Sequence, residues 1–107
     1  MNQRSAQKYI LSFADAAEGR PYGKQLLVFS VKGHDFAIIE DKKSPLRLSL
    51  RCDPQLASVL RDRYEEVMQG YKLNKDKWIT IVIAGQLSDS EIEDLIRLSY
   101  DLASSES

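Results

Sequence analysis

The stretch Leu46-Arg47-Leu48-Ser49-Leu50-Arg51 carries the cleanest alternation in this 107-residue chain. Successive side chains of a strand point to opposite faces, so the three leucines share one face and Arg47, Ser49 and Arg51 the other. A sheet covered by helices on both sides would read apolar at nearly every position. The helices are therefore expected on the leucine side only, leaving the arginine side open.

Working upstream, Asp41-Lys42-Lys43-Ser44-Pro45 reads as a turn, preceded by two β-rich runs, Leu26 to Lys32 and Asp35 to Glu40. Gly33-His34 lies between them at the separation of a tight hairpin, with Gly at the first central position. His34 is then a solvated residue at a turn tip, since no second His, Cys or Ser–base pair accompanies it. Further upstream, Ala6, Ile10, Phe13, Ala14 and Ala17 recur at helical spacing, stopped by Gly19 and Pro21, which predicts an amphipathic helix of about four turns.

Downstream, Asp53 is placed to cap a second helix with Pro54 at its first position, where a missing N–H costs nothing. Leu56, Val59, Leu60 and Tyr64 form its inward stripe. Val67 to Gly70 reads as a short strand or turn. In Trp78 to Ala84 the alternation puts Ile79, Ile81 and Ile83 toward the core, and Trp78, Thr80 and Val82 on the side of Arg47 and Arg51. Ser88-Asp89-Ser90-Glu91 is a capping box, with Leu87 and Ile92 as its hydrophobic staple. Ile92, Leu95, Ile96, Ser99, Leu102 and Ala103 make the buried stripe of that last helix, whose acidic first turn suits the helix dipole without any metal.

Helix, three strands, helix, one or two strands, helix is an α+β order, α-β3-α-β2-α. It predicts a two-layer sandwich, an antiparallel sheet with three helices on one face, in a single domain over residues 1–107. Leu46, Leu48, Leu50, Ile79, Ile81 and Ile83 should be buried with Ile10, Leu56, Leu60, Leu95 and Ile96. Hydrophobic content of 43% with 29% charged residues excludes a disordered chain. The longest apolar run, Ile79 to Ala84, is far short of the roughly 20 residues a membrane helix needs, and the N-terminus has no apolar leader core. A cytoplasmic domain with no membrane association is expected. The one cysteine, Cys52, can form no internal disulfide and has no neighbouring ligand to share a metal, so it reads as a packed residue.

Net charge is −1, but residues 1–52 carry nine Lys/Arg against five Asp/Glu (+4) and residues 53–107 six against eleven (−5). Such a chain lacks the basic character of a strong nonspecific DNA binder, so any nucleic-acid contact must use a local patch. Gly70-Tyr71-Lys72-Leu73-Asn74-Lys75-Asp76-Lys77-Trp78 offers one. Lys72, Lys75 and Lys77 are candidates for phosphate contacts, Asn74 or Trp78 for a base or sugar, and Arg47 and Arg51 would extend the patch across the open sheet. The plainer alternative is that the lysines solvate a turn and Trp78 packs at a sheet edge. No nucleophile, acid/base pair or ligand cluster accompanies them, so no catalytic residue, metal or cofactor is expected.

Arg51-Cys52-Asp53-Pro54, then Gly70-Tyr71-Lys72-Leu73-Asn74-Lys75, then Trp78 with Gly85 seven residues on, then Ser99-Tyr100-Asp101-Leu102 resembles the MmcQ/YjbR-like family. The resemblance runs from the Phe36-Ala37 strand to the last helix and implies a frataxin-like (CyaY-like) fold and DNA binding through a double-wing motif. Two departures stand out. Gln69 replaces a Pro common in the family, and Lys72 and Lys77 stand where His is frequent, which adds positive charge and disfavours imidazole chemistry. A protein-interaction or chaperone-like adaptor module on the same open sheet or an edge strand is the alternative, and monomer and homodimer both stay open. Iron binding would need an acidic first helix, which here offers only Asp15 and Glu18.

Overall fold

The computed structural model describes residues 1–70 and 77–106. Among these residues three helices, α1 (Gln3–Leu11), α2 (Pro54–Arg63) and α3 (Asp89–Ser104), accompany six strands. The strands are β1 (Ala17–Gly19), β2 (Leu26–Val31), β3 (His34–Glu40), β4 (Leu46–Arg51), β5 (Val67–Gln69) and β6 (Trp78–Ile83). They form one antiparallel sheet in the order β1-β2-β3-β4-β6-β5. The sheet is the expected α+β arrangement with one strand more than the sequence suggested.

The leucine side of β4 holds the main core. Leu46, Leu48 and Leu50 join Leu27, Phe29, Ala37, Ile39, Ile79 and Ile81 beneath Ala6 and Ile10 of α1, Ala57 and Leu60 of α2, and Ile92, Leu95, Ile96 and Ala103 of α3. All three helices contribute to this cluster, and none contributes to the smaller one of Val28, Ile38 and Trp78 on the opposite side. The helices thus lie on one face, as the alternation of β4 requires. Leu56 and Ile83 are only half-buried and pack against the core from its margin.

Several local expectations are corrected. Helix α1 stops at Leu11, not Ala17, and Phe13 keeps its apolar role outside the helix by stacking on Tyr100, with ring centroids 4.7 Å apart. The residues beyond turn outward into β1, all of whose positions are exposed. The β2–β3 turn is Lys32-Gly33, both at positive φ (53° and 81°), so His34 begins β3 and is not a turn tip. Two positive φ values match the strand twist of a hairpin, and Gly33 supplies one of them without steric cost. In α2 the buried positions are Ala57 and Leu60, while Val59 is 57% exposed, because the small Ala57 is the residue that meets the sheet. Leu102 is likewise 40% exposed on the outer side of α3.

The caps form as read. Asp53 accepts from Gln55 N and Leu56 N, and Ser88 and Glu91 make the reciprocal pair of a capping box. An unforeseen capping box, Asn2 with Ser5, opens α1. A bulge in β3 near Phe36 interrupts the pairing with β2, and Ser99 of α3 resolves it: its Oγ accepts from Arg51 N at 2.8 Å and donates to the Phe36 carbonyl. Ser99 is fully buried, so this hydroxyl ties α3 to two strands at once. No helix among the described residues is long and apolar enough to cross a membrane.

Candidate nucleic-acid interface

The helix-free side of the sheet is built by the residues that alternate with the core. Register places Val28 beside Ile38, Ile38 beside Ser49, Ser49 beside Thr80 and Thr80 beside Met68, a row running across five strands. Ser49 Oγ and Thr80 Oγ1 are 2.8 Å apart and satisfy each other. On one side of this row lie Leu26, Glu40, Arg47 and Val82, and on the other Arg51 and Trp78.

Arg47, Arg51 and Trp78 are therefore brought to one face, with the arginines about 13 Å apart along β4 at the rise of a strand. Arg47 is exposed, and its Nε is 3.7 Å from Glu40 Oε2. The Arg51 guanidinium lies over the Trp78 ring, 5.8 Å from its centroid, within the range of a cation–π contact. Trp78 is only 8% exposed, so its ring is not a bare platform facing solvent. The alternation of β6 located the ring; its coverage depends on a neighbouring strand and was not legible in the local pattern. Lys77 is exposed but sits one residue before β6, out of phase with Trp78, and its carbonyl accepts from Cys52 N at 2.8 Å. Lys72, Asn74 and Lys75 lie outside the described residues.

Two residues not expected at this site join it. Glu106, just beyond α3, pairs with Arg51 Nη1 through Oε1, and its Oε2 is 3.1 Å from His34 Nδ1. His34 opens β3 and Arg51 closes β4, seventeen residues on, and Glu106 comes from beyond α3, so no spacing motif could reveal the cluster.

The chain's other reactive side-chain types are occupied elsewhere. The Cys52 thiol is pushed up to about 11, chiefly by burial and further by the neighbouring Asp53 charge, which leaves it protonated near neutrality. Among the described residues no three His, Cys, Asp or Glu side chains gather to hold a metal. Shallow hollows occur among the described residues. One of about 290 Å³ is lined by Gln25, Leu26 and Glu40 to Lys43, and one of about 350 Å³ by Asp94, Arg97, Leu98 and Asp101. Neither contains Arg51 or Trp78.

A family model described as YjbR matches residues 11–102. The chain belongs to the YjbR family. Within that family it is 35% identical over 68 residues to the uncharacterised protein YjbR of Escherichia coli K12, a match covering 64% of this chain and 58% of that one. It is 28% identical over 82 residues to YbdF of Escherichia coli O157:H7, covering 77% and 67%, and 36% identical over 55 residues to YyaQ of Bacillus subtilis, covering 51% and 46%. The matched segments thus span about half to two thirds of these relatives. The crystal structure of Deinococcus radiodurans protein DR2400, a DUF419 domain, superposes with a TM-score of 0.92 at 29% identity over 96% of this chain and 78% of that one. A Pseudomonas syringae protein superposes at 0.81 and 25% identity, covering 96% and 99%. The fold is therefore shared with these two proteins over 96% of this chain.

Proposed function

We propose that this YjbR-family chain is a non-enzymatic DNA-binding protein that uses the helix-free sheet face, with Arg47 and Arg51 as phosphate contacts there and the exposed Lys77, one residue before β6, as a further cation. The observation that carries this reading is the pair of arginines held on one uncovered face, about 13 Å apart along a single strand. Lys72 and Lys75, close in sequence to Lys77, extend the cationic set, and Asn74 is the candidate for a base or sugar. The absence of catalysis is supported by the commitments of the reactive side chains: Ser99 bridges α3 to the sheet, Ser49 and Thr80 bond each other, and Cys52 is held protonated.

Burial of Trp78 beneath Arg51 modifies the reading. A base could stack on that ring only after the guanidinium moved, so phosphate contacts dominate and affinity is weak, near the 10⁻⁴–10⁻⁶ M typical of nonspecific binding at physiological salt. Titrating labelled single- and double-stranded DNA at several salt concentrations tests this. Changing Lys72, Lys75 and Lys77 together to Ala should weaken binding and flatten its salt dependence. Fluorescence of the one tryptophan should change little on saturation; strong quenching would show a base reaching the ring. Failure of the wild type to bind at low salt would remove the reading. The alternative, a protein-interaction module, is favoured by one feature: β5 is a three-residue edge strand whose Met68 is 40% exposed, a site for strand addition. A concentration-dependent dimer in sedimentation would be its positive sign.

A further inference from the structure

The Glu106 carboxylate occupies the position at Arg51 that an incoming anion would need. Each of its oxygens meets a different cation-capable group: Oε1 the Arg51 Nη1, Oε2 the His34 Nδ1 at 3.1 Å. A phosphodiester or phosphate presents the same pair of anionic oxygens, and a guanidinium fork with a neighbouring N–H donor is well suited to receive them. The arginine is positioned from several directions at once. Its backbone N–H is held by Ser99, its guanidinium rests on Trp78, and its Nε is buried with no hydrogen-bond partner among the described residues. Glu106, by contrast, lies beyond the last residue of α3, is 41% exposed at its side chain, and makes its side-chain contacts only with Arg51 and His34 among the described residues. The receptor is rigidly mounted, and its present occupant is a half-exposed side chain outside the regular structure.

We propose that Arg51 and His34 form an oxyanion site for phosphate groups and that Glu106 is a tethered competitor filling it. The inference rests on the DNA-binding reading for the source of the phosphate, though not for the competition itself. A half-exposed ion pair holds an arginine only modestly, so displacement is feasible and the brake is mild, on the order of two- to fivefold in affinity.

The test compares wild type with Glu106→Gln, an exposed change that leaves the fold intact, and with Asp62→Asn, which removes one exposed negative charge on α2, on the helix side of the sheet. Two probes are used: labelled DNA at several salt concentrations, and inorganic phosphate followed through the Arg51 Nε–H resonance. Glu106→Gln should bind both probes about two- to fivefold more tightly than wild type and than Asp62→Asn. Its DNA salt slope should steepen by about one phosphate contact. With Arg51→Gln in the background, the gain from Glu106→Gln should vanish. Tighter phosphate binding without any DNA binding would uphold the competitor and overturn DNA as its ligand. DNA binding unchanged by Glu106→Gln would overturn the competitor and leave the DNA reading standing. Equal gains for Glu106→Gln and Asp62→Asn would reduce the effect to net charge and overturn the proposal, and so would no response from either probe.

Discussion

The two faces of β4 are made by alternate residues of six, yet they solve different problems. On one, Leu46, Leu48 and Leu50 are buried beneath three helices in a cluster drawn from every element except β1. On the other, a cluster of three, Val28, Ile38 and Trp78, is buried with no helical cover, and Arg47, Ser49 and Arg51 surround it with charge and hydroxyls. The first face depends on many contacts among apolar side chains and tolerates no polar group without a partner. The second depends on a few specific pairings. Stability is thus assigned to one side of the strand and the proposed binding to the other, and substitutions on each side should be distinguishable.

The largest effect should come from Leu48→Ala, which empties a fully buried position and should cost about 2–5 kcal/mol by urea denaturation. A cost below that of Ile38→Ala, on the other side, would break the distinction between the faces. Next is Ser99→Ala, expected to cost about 1–3 kcal/mol because Arg51 N and the Phe36 carbonyl both lose a buried partner. It would also loosen the link between helix layer and arginine face, visible as faster amide exchange at Arg51.

Ser88→Ala should cost about 0.5–2 kcal/mol through the lost cap, without altering DNA binding. The same cap has a pH signature. The Ser88 backbone N–H, foremost, and its hydroxyl hold the Glu91 carboxyl below the usual carboxylate range. A carboxyl depressed in the folded state stabilises above its unfolded value and loses that contribution as pH falls through the lower folded one. Glu91→Gln should therefore lower stability slightly near neutrality, converge with wild type at low pH, and so flatten the acid limb of the stability profile. The smallest effect should be Arg47→Ala, within about 0.5 kcal/mol, since its ion pair with Glu40 is exposed. A large loss of stability there would mean that the charged face also holds the fold.

How much was legible follows the same division. β4 and β6 emerged from the sequence with their faces correct because a period of two is set by backbone geometry alone. The caps at Asp53 and Ser88 were legible for the same reason: a local hydrogen bond needs only local residues. Helix α1 was read too long because Phe13 is apolar at helical spacing yet finds its partners, Tyr9 and Tyr100, from an irregular segment. β1 has no buried position to give a pattern, and the hairpin turn was displaced by one residue because Lys32 takes a positive φ that favours Gly or Asn. At the candidate site, the common face of Arg47, Arg51 and Trp78 was predicted by phase. The cover over Trp78 and the Glu106 contact were not, because both join residues whose proximity is created only by the completed sheet. The DNA-binding role of these residues stands as a proposal, supported by their placement.

The strand order carries a consequence for synthesis. β1 to β4 leave the ribosome in the order in which they pair, but β6 must enter between β4 and β5, and the Ser99 clamp arrives only with α3. Until then β4 is an unprotected edge displaying three leucines and an open row of backbone groups, the state in which a nascent sheet most readily pairs with a neighbouring chain. The hazard of this fold during its making lies in the same strand that organises it once made.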